Sequence, residues 1–233
     1  MWFLPSRGRP HNLKRFIQAY KDTRATAPVY LWFDIDDPKL AEYQDLDVPN
    51  NWCVHVNGSR NLAEMMNRFV KTFPDAKYYG FLADDCVPRT VEWDRLLINA
   101  AGDWGISYPN DLFQGDKLST FPCCGGKLIR ALGWWGLPGL DRLYIDDALM
   151  AVGLAVGKLV YLEDVVLEHM HFGNRKAPMD ATYRKTSHAE DEAVFRAWDV
   201  GRDLPRIRAA MKLAAAGKPQ RKRAGRKAKG VKA

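Results

Sequence analysis

With 233 residues, 47% hydrophobic and 12% aromatic, the chain can bury one sizeable core or at most two small ones, so disorder of the whole chain is excluded. The longest charge-free apolar stretch, Ala148 to Gly157, reaches about half of the roughly 20 residues a membrane helix needs, so no membrane span is expected. The net charge of +7, from 35 basic and 28 acidic residues, marks a basic protein whose charge is unevenly distributed.

Arg7 and Arg9 follow the short apolar run Met1 to Leu4, the reverse of a secretion signal. Cys53, Cys86, Cys123 and Cys124 have neither the pairing pattern of a disulfide framework nor the spacing of a zinc site. Together these features predict a reducing, cytoplasmic setting.

Trp2 to Leu4 predicts a first strand that ends in the loop Pro5-Ser6-Arg7-Gly8-Arg9-Pro10. Leu13, Phe16, Ile17 and Tyr20 then fall at helical spacing, with Asn12 available as a cap. Val29 to Phe33 predicts a second strand, closed by Asp34-Ile35-Asp36-Asp37-Pro38, and Cys53 to Val56 a third. Leu62, Met65, Met66, Phe69, Val70 and Phe73 mark one face of an amphipathic helix. Tyr78 to Leu82 predicts a fourth strand, ending at Ala83-Asp84-Asp85. Strands alternating with helices argue for an α/β fold with a mostly parallel sheet covered on both faces. Ligands of such sheets sit at the carboxyl ends of the strands. The arginine loop, the Asp34 to Asp37 cluster, the Gly58 to Asn61 turn and Asp84-Asp85 all fall at that edge.

From Gly102 to Gly126, aromatic residues, glycines and prolines show no clear period, which predicts an acceptor-side region rather than more sheet. Within it Gly125-Gly126 reads as a plain turn, and Trp134-Trp135 beyond it as core. Tyr144-Ile145-Asp146-Asp147 opens a helix running to Val156, followed by the apolar run Leu159 to Leu162. Val165 to His171 reads as extended, with His169 and His171 on one side and Glu168 and Met170 on the other. Ala189 to Trp198 and Leu204 to Ala216 read as helices. From Gly217 the chain is rich in Lys, Arg, Ala and Gly without core-forming residues, the composition of a disordered tail. The expected organisation is one domain over residues 1–204 and a helix plus basic tail over 205–233.

Two carboxylates at a strand end can hold a hard divalent cation that keeps positions open for substrate phosphates. Asp84-Asp85 fits that use, and equally a helix cap or a solvated turn. Four segments extend the pattern: FLPSRGRP, FDIDDP, FLADDCVPRTVEWD, and YIDDALMAVG followed by VVLEHMHF. In this order, over about residues 1 to 185, they resemble the nucleotide-sugar-dependent glycosyltransferases of the GT-A fold, particularly the family-2-like members.

The resemblance implies a Rossmann-like, mixed but mostly parallel sheet flanked by helices in a single domain. It also implies a nucleoside diphosphate sugar as donor, with a UDP-sugar expected, and Mn²⁺ or Mg²⁺ as cofactor. By the same resemblance Pro5, Ser6 and Arg7, with Asp34 or Asp36, would hold the nucleoside, and Arg9 would add charge on that rim. Arg60 would approach the diphosphate, and Asn67 stands where such enzymes often have asparagine. Asp84 and Asp85 would form the acidic metal motif, His169 or His171 would complete the metal shell, and Asp146 or Asp147 would be the catalytic base. Many relatives carry a third carboxylate where this chain has Cys86, which reads as a packed thiol. A single base suits inversion at the anomeric carbon.

The charge is unevenly spread. No carboxylate side chain follows Asp203, whereas Arg206, Arg208, Lys212 and eight further lysines and arginines from Lys218 onward supply eleven positive charges. The remainder, 24 basic against 28 acidic residues, carries about −4. A basic tail without an amphipathic apolar face favours nucleic acid over membrane. Joined to a transferase-like body, it predicts DNA as the acceptor, with the sugar placed on a hydroxylated base such as a hydroxymethylpyrimidine, as in viral DNA-modifying glycosyltransferases. The alternatives are a saccharide, lipid or protein acceptor, or a non-catalytic nucleic-acid or sugar-binding module on the same fold.

Overall fold

A computed structural model of the protein describes residues 1–58, 61–184 and 188–217. Strand β1 (Trp2–Ser6) runs through the expected loop into helix α1 (Pro10–Asp22). Pro10 takes the first helical position, where its fixed φ suits the helix and its missing N–H costs nothing. Asn12, expected as the cap, therefore lies inside the helix, and Arg9 stands at the cap position without a side-chain bond.

Strands β2 (Val29–Asp34) and β3 (Cys53–Asn57) follow, then α2 (Leu62–Thr72), whose Glu64 N–H donates to the Asn61 side chain at 2.7 Å. Next come β4 (Tyr78–Phe81), β5 (Cys86–Pro88) and α3 (Trp93–Ala101). The remaining elements are β6 (Ile106–Asn110), β7 (Cys123–Gly125), α4 (Gly126–Leu132), α5 (Ile145–Ala155), β8 (Leu159–His169), α6 (Ala181–Arg184), α7 (His188–Ala197) and α8 (Leu204–Ala216).

The strands form one sheet in the order β3-β2-β1-β4-β7-β6-β8-β5. Strands β3, β2, β1 and β4 are parallel, with Leu4 opposite Leu31 and Leu31 opposite Val54. β7 runs antiparallel to β4 and β6, β6 is parallel to β8, and β5 is antiparallel to β8. This is the mixed, mostly parallel α/β sheet that the resemblance implies.

Both faces of the sheet are covered, so β1 reads as a continuous apolar run although its side chains alternate. Phe3 packs with Trp32, Phe69 and Trp135 on one face, while Trp2 and Leu4 pack with Phe16, Phe33 and Trp93 on the other. Trp134 and Trp135 are buried, as expected.

Three expectations are corrected. The stretch 102–126 is not outside the sheet: it supplies β6 and β7, which are too short, and broken by Pro109 and Gly125, to show a period. Gly125-Gly126 is more than a turn, because a Cβ on Gly126 would lie 2.0 Å from the Ala76 carbonyl and one on Gly125 2.4 Å from the Asp103 backbone. Finally, Leu159–His169 is one strand, with a register shift opposite Pro109 and Asn110 that accommodates the charged residues between its two apolar halves.

Packing continues past residue 204. Helix α8 packs on α4 with Ile207 fully buried, and Arg206 donates to the Leu132 carbonyl and to Asp203. The expected tail from Lys218 lies outside the described residues. No described helix is long and apolar enough to cross a membrane.

Candidate functional site

The parallel order of β2, β1 and β4 brings the loop after β1, the acidic cluster after β2 and Asp84-Asp85 after β4 to one edge. There they are wired together. Ser6 Oγ donates to Asp84 Oδ2 at 2.8 Å, and Arg9 Nη1 donates to Asp84 Oδ1 at 3.1 Å and lies 3.6 Å from Asp85 Oδ2. Arg9 is 4% exposed and also grips both carboxylate oxygens of Asp180, at 2.7 and 2.8 Å. Arg7 pairs with Asp34 at 2.9 Å and with Asp36 at 2.6 Å, while the Gly8 N–H donates to Asp37 at 2.7 Å.

The two adjacent carboxylates titrate in opposite directions. Burial and the neighbouring Asp85 push Asp84 up to about 6, against the pull of Arg9 and Ser6. Burial raises Asp85 as well, but His169, Tyr183 and Arg9 together hold it below the usual carboxylate range. The Tyr183 hydroxyl donates to Asp85 Oδ2 at 2.6 Å, and the Arg9 guanidinium sits 4.2 Å from the centre of the Tyr183 ring. Cys86 is fully buried and burial pushes its thiol well up, in keeping with a packed thiol.

The end of β8 lies between Asp85, which precedes β5, and Asp111, which follows β6. The His169 N–H donates to the Asp111 carbonyl at 2.9 Å and the Met170 N–H to the Asp85 carbonyl at 2.8 Å. His169 Nε2 is 3.5 Å from Asp85 Oδ1, and its Nδ1 is 3.5 Å from Asp111 Oδ2. Burial lowers the His169 pKa, yet Asp111 and Asp85 outweigh it and raise the imidazole to about 9. His171 lies beside it, ring centres 4.9 Å apart, and is pushed down to about 4 by burial and by the charge on His169.

These groups open into a cavity of about 400 Å³. Asp85, His169 and His171 stand on its wall together with Asp146 and Asp147, and Phe81, Phe113, Phe121 and Tyr144 supply much of the apolar surface. Asp146 and Asp147 occupy the first turn of α5, where the helix dipole favours negative charge. The loop leading into them is held by the buried Asp191 of α7, which accepts the backbone N–H groups of Asp141, Arg142 and Leu143 at 2.6, 2.9 and 2.7 Å. Burial and Asp147 push Asp146 up to about 6, and burial raises Asp147 as well.

The structure thus brings Asp85, His169, His171, Asp146 and Asp147 into one cavity. Pro5, Ser6, Arg7, Arg9, Asp34, Asp36 and Asp84 do not line it; Arg9 touches its wall through Asp85, Ser6 and Asp84 stand behind Arg9, and Arg7 with Asp34 and Asp36 forms a separate ion-paired group. Asn67 belongs to neither group. Its Oδ1 accepts the N–H groups of Trp135 and Gly136 at 2.7 and 3.2 Å and its Nδ2 donates to the Gly136 carbonyl at 2.7 Å, so its amide is engaged in fixing the Trp135-Gly136 turn. Arg60 lies outside the described residues.

Asp111, Asp180, Tyr183 and Asp191 were not singled out by the sequence. Asp111 follows β6, a short strand with Ser, Pro and Asn that gives no strand-end signal of the kind that marks Asp84. The other three sit in polar stretches with no such mark.

A divalent cation is tested by the donors present. Asp85 Oδ1 is buried with no hydrogen-bond partner among the described residues, and it faces His169 Nε2 at 3.5 Å. Two ligand atoms on one cation at about 2.1 Å lie about 3–4 Å apart, so this pair fits. His171 fits less well: its Nδ1 accepts the Gly173 N–H at 3.1 Å, which places the proton of the neutral ring on Nε2. Among the described residues, no three His, Cys, Asp or Glu groups converge as a complete ligand set.

No protein-family model matches the chain, and no curated protein matches it in sequence. Solved structures do. The mannosyltransferase PcManGT from Pyrobaculum calidifontis, in complex with GDP-Man and Mn²⁺, superposes over 94% of this chain and 75% of its own length, with a TM-score of 0.52 at 13% identity. S. aureus TarS 1-349 matches over 71% of this chain with a TM-score of 0.50 at 10% identity, and a second TarS structure with a TM-score of 0.51. The chain spans 58% of the first TarS chain and 35% of the second. At such identities the likeness concerns the fold: this chain has the GT-A-like fold of nucleotide-sugar glycosyltransferases.

Proposed function

We propose that the protein is a glycosyltransferase that moves a sugar from a nucleoside diphosphate to an acceptor hydroxyl in the Asp85–His169–Asp146 cavity. The observation that carries this reading is the convergence, on that fold, of a strand-end carboxylate, a histidine and a proton-accepting carboxylate pair on one cavity of about 400 Å³. A nucleoside diphosphate fits the arginine and carboxylate rim formed by Ser6, Arg7, Arg9, Asp34 and Asp36, and Arg60 is the expected diphosphate contact. The expected donor is a UDP-sugar.

Asp85 and His169 would hold Mn²⁺ or Mg²⁺, which supplies charge neutralisation for the departing diphosphate without a proton. The chain's own residues do the rest. Arg9 and Tyr183 fix Asp85 so that Oδ1 faces His169. Asp146 or Asp147 accepts the proton of the attacking hydroxyl, a contribution of about 10²- to 10⁴-fold. The apolar wall excludes water, which would otherwise compete as acceptor. One base on the acceptor side favours direct displacement with inversion.

For the acceptor, the eleven positive charges after Asp203 favour DNA, because neutralising phosphates releases counterions. A hydroxylated base is the matching nucleophile, and the aromatic wall of the cavity suits a flipped planar ring. Incubation with UDP- and GDP-sugars, with and without hydroxymethylated DNA, tests both parts. Nucleoside diphosphate release that depends on Asp85, tested with Asp85→Asn, supports the transferase reading; no release with any donor overturns it. Label reaching only saccharide, lipid or protein overturns the DNA part alone.

A further inference from the structure

Asp111 is fully buried and uses its two carboxylate oxygens differently. Oδ1 accepts the backbone N–H groups of Phe113, Gln114 and Gly115 at 3.0, 2.7 and 3.0 Å. That grip holds the loop in which Leu112 adopts a left-handed φ of 55°, a conformation a leucine avoids without such support. Oδ2 is buried with no hydrogen-bond partner among the described residues and faces His169 Nδ1, which likewise has none, at 3.5 Å. The other side of the ring faces a third such atom, Asp85 Oδ1. A carboxylate, an imidazole and a second carboxylate thus stand in a row, fixed by the backbone bonds from His169 to Asp111 and from Met170 to Asp85.

The chemistry of the row fixes one end of the ring. An ionised carboxylate only accepts, so Nδ1 must carry its hydrogen towards Asp111. Nε2 faces another acceptor, Asp85 Oδ1, at 3.5 Å, so something positive must lie between the two: a proton on the metal-free ring, or a cation that takes its place. We propose that Asp111 is the positioning residue that sets the His169 ring, accepting Nδ1–H so that Nε2 and Asp85 Oδ1 share a donor-bound divalent cation. This rests on the donor-site reading above. Outer carboxylates of this kind orient histidine ligands generally, and losing one weakens metal binding about 10- to 100-fold.

The test uses the full chain with Asp111→Asn. An amide oxygen still serves the three loop N–H groups, but the amide nitrogen now faces Nδ1 and can only donate, which favours the neutral ring with its proton on Nε2. Calorimetry with MnCl₂ in the presence of UDP is expected to show affinity about 10- to 100-fold weaker than wild type. In ¹⁵N-labelled, metal-free wild type, His169 is expected to show a protected Nδ1–H resonance that the variant lacks. Equal Mn²⁺ affinity in the two proteins overturns the proposal. So does a wild type that binds Mn²⁺ but shows no protected Nδ1–H on His169, a result that stands even if the variant does not fold and that leaves the donor-site reading intact. Wild type that binds no Mn²⁺ with UDP overturns the donor-site reading, and this proposal with it.

Discussion

Arg9 donates to Asp84 at 3.1 Å with both side chains buried, and this one cation serves a carboxylate cluster that also includes Asp85 and Asp180. A buried charge is tolerated only when paired, and removing one partner leaves the others uncompensated. Arg9→Met should therefore cost about 3–5 kcal/mol of stability, read from urea unfolding at pH 7. Arg9→Lys should recover part of it, because an ammonium cannot reproduce the two-pronged grip on Asp180. A loss below about 1 kcal/mol for Arg9→Met would mean that solvent screens the cluster.

Asp146, raised to about 6, gives the site a pH dependence with a definite sign. Its folded pKa lies above the unfolded value, so its contribution to stability is present at low pH and is lost as pH rises through about 6. Asp146→Asn removes that loss. The melting temperature of the variant relative to wild type should be higher at pH 7.5 than at pH 5, and a constant or reversed difference would refute the assignment. If Asp146 is the base, wild-type turnover should rise through the same range and level off above it, and the variant should lose at least about 100-fold.

Asn67 can be assigned to the turn or to the nucleotide by one substitution. Asn67→Ala leaves two buried N–H groups and a carbonyl around Trp135-Gly136 without their partner. A stability loss of about 1–3 kcal/mol is expected, with the affinity for UDP by calorimetry unchanged. A large drop in nucleotide affinity at unchanged stability would restore Asn67 to the binding site.

Helix α8 is expected to behave as part of the folded body. Ile207→Ala should cost about 2–5 kcal/mol, and truncation after Asp203 should lower the melting temperature further. Equal melting temperatures for the full and truncated chains would return the boundary to residue 204.

The salt dependence of DNA binding separates the two halves of the charge. Removing residues 218–233, eight of the eleven late positive charges, should weaken DNA binding and flatten its dependence on salt while leaving nucleoside diphosphate affinity unchanged. An unaltered salt slope would dissociate the tail from the acceptor.

Much of the fold was legible in the sequence. The apolar runs of β1 to β4, the faces of α1, α2 and α5, and the acidic residues at strand ends are local patterns set by the two periods of the backbone and by turn chemistry. β6 and β7 were not, because five- and three-residue strands broken by Pro and Gly carry too little period to register. Asp85, His169 and His171 come together because β5 pairs with β8, whereas Asp146 and Asp147 reach the same cavity from the first turn of α5. The partners of Asn67 were not legible, because they come from 68 and 69 residues away.

By itself, then, the sequence determined the α/β class, the strand-end carboxylates and the separation of a slightly acidic body from a basic end, since each depends on residues close together in the chain. Only the tertiary structure decided that Arg9 neutralises the acidic pair together with Asp180, 171 residues away, and that Asp111 stands behind His169. Those pairings follow from strand order and burial: β1 lies beside β4, which sets Arg9 against Asp84, and β6, β8 and β5 lie side by side, which sets Asp111 behind His169; no local period encodes which strand becomes whose neighbour.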